Sequence, residues 1–216
     1  MKEFNFEYTD TKFLMKLFGI CSLVFVGMII TAAVNKDTTP IIWGLILSFI
    51  IPFAIYFLNK KNITKLGTAC ITDASVTFQL TEVTQTITFE EIATYQVEQF
   101  NGTSLKLKLN NGTEFKLLAN TNFCNADQFD AFCQEFEQAI LQFKTTNNTE
   151  ITRKKTIFEQ AWMLPFLVIL SVGLVGMSIF ALANGKNIPA SFFTSAALLI
   201  PMWIAYFNAK RKKEIN

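Results

Sequence analysis

Histidine is absent from all 216 residues. The commonest metal ligand and the side chain best suited to proton transfer near neutral pH are therefore missing. The four cysteines, Cys21, Cys70, Cys124 and Cys133, include no C-x-x-C pair, so the spacing of a zinc or redox site is lacking. They read as buried thiols in a reducing compartment. There is no Gly-rich phosphate loop, no nucleophile motif and no metal set. Glu90-Glu91 is the one paired carboxylate, and the turn before Ile92 accounts for it. The reading is a protein that is not an enzyme and needs no cofactor.

Charge is scarce as well: charged residues make up 17% of the chain and its net charge is +2, too little to suggest nucleic acid. Hydrophobic residues reach 51%, with 23 phenylalanines, and the charges are confined to a few regions. That distribution suits an integral membrane protein. Two apolar stretches, 13–34 and 41–58, flank a tight polar turn, and two more, 162–183 and 188–207, form a second pair. Each is about as long as a bilayer-spanning helix must be. Without water in the hydrocarbon, all four should be helical. No Asp, Glu, Lys or Arg falls in the middle of a span, which argues against a coupled transporter. No small-residue cleavage site follows the first apolar run.

The second pair repeats the first at a shift of 149 residues, with 13 identities over 47 positions. Gly27 meets Gly176, Asn35 meets Asn184, Pro40 meets Pro189 and Pro52 meets Pro201. We read this as an internal duplication of a parallel hairpin, with a pseudo-two-fold axis along the membrane normal and helix kinks at Pro52 and Pro201. Lysines and arginines cluster at one end of the spans, with only Lys36 and Lys186 at the other. The positive-inside rule then places both termini and the central segment in the cytoplasm, at the inner membrane. Trp162, Tyr56 and Tyr206 fall near the inner boundary and Trp43 near the outer one.

The divisions expected are an N-terminal segment (1–12), hairpin 1 (13–58), a cytoplasmic module (64–145), a linker (146–161), hairpin 2 (162–207) and a basic tail (208–216). Phe4, Phe6 and Tyr8 alternate with polar residues, a pattern that fits either a strand added to the module or an interfacial tail. Within the module, alternation marks about six antiparallel strands in a meander. Asn101-Gly102 reads as a turn, and Asn110-Asn111-Gly112-Thr113 as a type I′ hairpin. A helix follows, with Asn125 as N-cap and Gln128 as its box partner. Its stripe is Phe129, Phe132, Cys133, Phe136, Ile140 and Phe143, a packing face.

Gly67-TACITDASVTF, the run QTITFEEIATYQV from Gln85, SLKLKLNNGTEFKL from Ser104 and the closing helix together resemble the bacterial pleckstrin-homology-like (PH-like) domain. Members of that family often carry membrane helices. The resemblance covers about 80 residues and implies a bent antiparallel β-barrel capped by the helix. The overall class is then an α+β membrane protein, with four transmembrane helices as two duplicated hairpins and a PH-like barrel between them.

Lipid-binding relatives of this fold use a basic pocket for headgroups. Here, residues 64–143 carry ten acidic residues against four basic ones, a net charge of −6. Lys106, Lys108 and Lys116, on adjacent strands, are the candidate ligand or headgroup contacts, although an ordinary solvated sheet face also explains them. Lys60, Lys61, Arg153, Lys154 and Lys155 are the membrane-proximal basic residues, drawn to anionic lipid. The partners expected are membrane lipids and an unidentified protein segment, bound by strand addition, with homo-oligomers also open. The alternative function is a small channel or permease component regulated by the module.

Overall fold

A computed structural model describes residues 1–34, 38–81, 83–185, 187 and 190–215. Lys36, Lys186, Pro189 and Glu82 lie outside the described residues, as do Asn35 and Asp37 of the first expected turn. The side chains of Pro40 and Trp43 are likewise outside them. The elements in order are β1 (Lys2–Thr9), α1 (Thr11–Val34), α2 (Thr38–Asn59), β2 (Thr64–Ile71), β3 (Ser75–Leu80), β4 (Thr84–Thr88), β5 (Ile92–Gln99), β6 (Gly102–Leu109), β7 (Glu114–Asn120), α3 (Asp127–Asn147), β8 (Thr152–Arg153), α4 (Met163–Ala183) and α5 (Ala190–Ile215).

Among the described residues, three stretches are long and apolar enough to cross a membrane: Thr11–Thr31, Met163–Ala183 and Phe192–Lys210. Large apolar side chains such as Phe18, Leu23, Ile169 and Phe180 stand exposed along them. A surface of that kind is stable against lipid and costly against water, so the chain is membrane-associated. α2, 22 residues long, packs on α1: Cys21 Sγ donates to the Pro52 carbonyl at 3.4 Å, and the Phe25 and Phe49 rings meet edge to face at 5.3 Å. In the second pair, Trp203 Nε1 donates to Ser171 Oγ at 3.0 Å, and that hydroxyl donates to the Leu167 carbonyl.

Between the helices lie two sheets, ordered β1-β2-β3-β4 and β7-β6-β5-β8. The first is antiparallel throughout, and the second is antiparallel apart from β8, which adds two residues parallel to β5. The chain passes from one sheet to the other through a 3-10 turn, Phe89–Glu91. Glu91 accepts the Thr88 amide at 3.1 Å, and the Phe89 amide donates to the Ala74 carbonyl while its ring is buried. This break splits the expected meander into two sheets.

β1 settles the alternatives left open for the first residues. It pairs along its whole length with β2, from Lys2↔Ile71 to Thr9↔Thr64. Phe6 is 3% exposed and its ring lies 4.9 Å from that of Phe129. Residues 1–12 are therefore not separate from the central unit, and α1 and α2 are an insertion in the β1–β2 connection. The junction is short: Asp10 N donates to the Ile63 carbonyl at 2.8 Å, and Asp10 Oδ1 caps α1 by accepting the Phe13 amide at 2.9 Å.

The expected stripe of α3 is buried in full, from Phe129 to Phe143, and faces Phe6, Phe78, Phe89 and Leu105 in one core. Burial of each large apolar side chain stabilises the fold by about 1.5–3 kcal/mol. The start of α3 differs from expectation. Ala126 is the N-cap, while Asn125 Oδ1 accepts the Asp127 amide at 3.0 Å in a turn just before it. The Asn125 amide is in turn held by Glu7 of β1. Asp130 accepts bonds from Gln99 and from Thr103 Oγ1, tying the first turn of α3 to β5 and β6.

The turn at residues 110–113 also differs. A type I′ turn needs positive φ at both central residues, but here only Gly112 has it, at 85°. Leu109 bonds to Gly112 and Thr113, the pattern of a type I turn followed by a glycine bulge. The Asn101-Gly102 turn does have positive φ at both residues, and a Cβ on Gly102 would lie 2.0 Å from the Ala119 carbonyl oxygen, so only glycine fits.

Candidate functional site

Two surfaces of the β-unit can engage something outside it. The first is the outer edge of β4. Leu80 and Val83 exchange both backbone bonds, at 2.8 and 3.2 Å. Antiparallel pairs alternate between bonded and non-bonded. In the register Gln79↔Thr84, Phe78↔Gln85, Thr77↔Thr86, it is then Gln85 and Ile87 that bond β3. Thr84 and Thr86 turn their backbone N–H and C=O groups away from it. Among the described residues no further strand lies on that side of β4. The sequence Thr-Gln-Thr-Ile-Thr keeps this edge polar and uncharged, with only Ile87 buried. This pattern of free backbone groups is not visible in the sequence, where β4 reads as one more alternating strand.

The second surface is on the outer face of β5–β7. Leu105, Leu107 and Leu117 point into the core, so Lys106, Lys108 and Lys116 point out. Lys106 stands directly across from Lys116, and Lys108 from Glu114. All three expected lysines line one depression of about 270 Å³, together with Lys154. Lys154 arrives there because β8 runs along β5 and its amide donates to the Tyr95 carbonyl at 2.7 Å. By sequence Lys154 groups with the membrane-proximal charges, since nothing local shows that the linker turns back.

Arg153 is held differently. Its guanidinium bonds both carboxylate oxygens of Glu159, at 2.9 and 3.1 Å, and Glu137 Oε1 at 3.1 Å. Glu159 also accepts the Thr156 amide at 2.8 Å. Burial works against the charged guanidinium, but the bonds to Glu159 and Glu137 outweigh it and raise its pKa above the ordinary arginine value. Arg153 thus pins the linker to α3 rather than offering a free charge to lipid. Nearby, burial pushes the Tyr95 phenol up to about 12, with Glu137 adding to the shift and Arg153 opposing it. Lys155 is exposed and its carbonyl accepts from Gln96, while Lys60 and Lys61 lie exposed in a 3-10 turn after α2.

The sequence matches no family model and no curated protein. The functional reading therefore rests on geometry. A cleft of about 600 Å³ between α1 and α2 is lined by Leu17, Cys21, Phe25, Ser48, Pro52 and Phe53, with Phe123 of the β-unit at its end. Among the described residues it is lined by no charged side chain. Cys124 and Cys133 are buried, whereas Cys21 and Cys70 are half-buried. Among the described residues no cluster of three or more metal-ligating side chains forms.

Proposed function

We propose that this protein is a membrane-held, non-catalytic interaction module that captures an extended segment of another protein along β4. The observation that carries the reading is the pair of outward-facing backbone groups at Thr84 and Thr86 on an uncharged edge. Strand addition draws its affinity from such main-chain groups and its specificity from alternate side chains. The net charge of −6 over residues 64–143 favours a neutral or basic segment.

In this reading the unit is a PH-like domain. A four-stranded sheet, a second sheet and a closing amphipathic helix support that likeness. The frame is four spans arising by duplication, with α2 as the fourth. The matched Pro52 and Pro201, both inside helices, support the repeat. The lysine and arginine asymmetry favours a cytoplasmic unit at the inner membrane. A channel role has weaker support, because the α1–α2 cleft is apolar.

Thr86→Pro tests the edge. It removes one outward donor and no bond to β3, so the fold should tolerate it. Affinity capture from native membranes should lose the partner held by the wild-type chain, with thermal unfolding nearly unchanged. Equal capture by the variant would contradict strand addition.

A further inference from the structure

The cleft between α1 and α2 has a definite depth. Its wall runs from Leu14 to Val26 on α1, about 18 Å of helix, and from Ser48 to Tyr56 on α2, about 12 Å. Half of a bilayer's hydrocarbon core is about 15 Å thick. The cleft thus reaches from the β-unit end of the pair, where Phe123 closes it, to the middle of the bilayer. Pro52 lies in its wall and interrupts the backbone ladder of α2. The second helix pair is filled at the same height. Ser171 stands 149 residues after Ser22, and Trp203 Nε1 donates to its hydroxyl at 3.0 Å. Among the described residues no side chain bonds the Ser22 hydroxyl, and Ser22 lines the open cleft. We infer that the α1–α2 cleft binds one acyl chain of an anionic phospholipid from the leaflet beside the β-unit.

Lining, size and charge select that occupant. The walls are apolar, and the Cys21 thiol already donates to the Pro52 carbonyl, so the interior offers hydrocarbon contact and little else. The volume of about 600 Å³ is the share of about twenty waters. A helix about 10–12 Å across would need about 1,700 Å³ over the same depth. A span from a second copy is therefore too thick to enter, whereas a single extended chain is not. The mouth is charged where the interior is not. Lys60 follows Tyr56 by four residues, about 6 Å further along α2, and Lys61 is next to it. Both are exposed, and among the described residues no carboxylate forms an ion pair with either. A phosphate at that level has two unpaired ammonium groups to draw it while its chain runs down the cleft. A net-neutral lipid would fill the cleft but leave the lysines uncompensated. The inference is independent of strand addition at β4.

The test uses the full chain in phosphatidylcholine nanodiscs doped with phosphatidylglycerol that carries a photoreactive diazirine near the end of one acyl chain. Crosslinks mapped by mass spectrometry should saturate with the probe. They should concentrate on Ser22, Phe25 and Phe49 rather than on Leu23 and Ile30, which are exposed on α1 away from the cleft. Ser22→Phe places a ring in the cleft and should cut that labelling by about fivefold or more, with labelling of Ile169 on α4 unchanged. Lys60→Gln/Lys61→Gln should lower the preference for this probe over its phosphatidylcholine counterpart by about fivefold or more. Both lysines are exposed, so this arm stands even if Ser22→Phe fails to fold. The inference is overturned by labelling spread evenly around α1, or by unchanged labelling in a Ser22→Phe protein that unfolds at the wild-type temperature. It is also overturned by an unaltered headgroup preference in the lysine variant, or by loss of the cleft labelling in nanodiscs holding two copies, which would give the cleft to a second chain.

Discussion

Tyr95 shows how a single side chain links the linker, β5 and α3. Its ring is buried against Phe136, its carbonyl holds Lys154, and burial raises its phenol from 10.0 to about 12. A folded-state pKa above the unfolded value gives stability that is complete below pH 10 and is lost as pH rises through about 12. The size is roughly 2–3 kcal/mol. On going from pH 8 to pH 12, thermal unfolding of wild type should therefore fall further than that of Tyr95→Phe, which lacks the titrating phenol. Parallel losses in the two proteins would show that the phenol is not the titrating group. Arg153 makes a second residue-scale point. Its charge is legible in the sequence but its partners are not, because Glu137 lies on another element and Glu159 follows a turn.

At the scale of elements, periodicity was enough wherever burial is one-sided. The α3 stripe and strands such as Ser75–Leu80 follow from alternation or 3.6-residue spacing, since each presents one face to the core. What stayed hidden is non-local. The break after Thr88 and the return of β8 to β5 depend on partners far along the chain, and so does the docking of β1, which alternation left as one of two alternatives. Of these β1 matters most, because residues 64–145 alone lack the strand that covers Phe129 and Phe132. Thr9 and Thr64 are paired, so their Cα atoms lie about 5 Å apart. A soluble chain joining residues 2–9 to 64–160 through a short Gly-Ser link in place of α1 and α2 should unfold cooperatively. The same chain without residues 2–9 loses the Phe6 packing, a deficit of about 3–5 kcal/mol, and should show no cooperative transition. Equal cooperativity in both would contradict the role given to β1.

At the scale of the whole molecule, the β-unit and the helices are continuous at each junction. Asp10 and Ile63 bond across the base of α1 and α2, and Phe158 bridges Phe100 to α4 and α5. Each junction is thus a direct contact between the β-unit and the base of a helix pair. The membrane association was legible from hydropathy, whereas these joints were not, because they are built from single residues at element ends.

The side of the membrane on which the unit sits decides whether β4 can meet a cytoplasmic partner at all. The buried Cys124 is a poor reporter, but Asn111, in the exposed turn between β6 and β7, is a good one. In a chain with its four cysteines replaced, Asn111→Cys should react with a membrane-impermeant maleimide only after cells are permeabilised. Labelling in intact cells would place the unit outside and contradict the account.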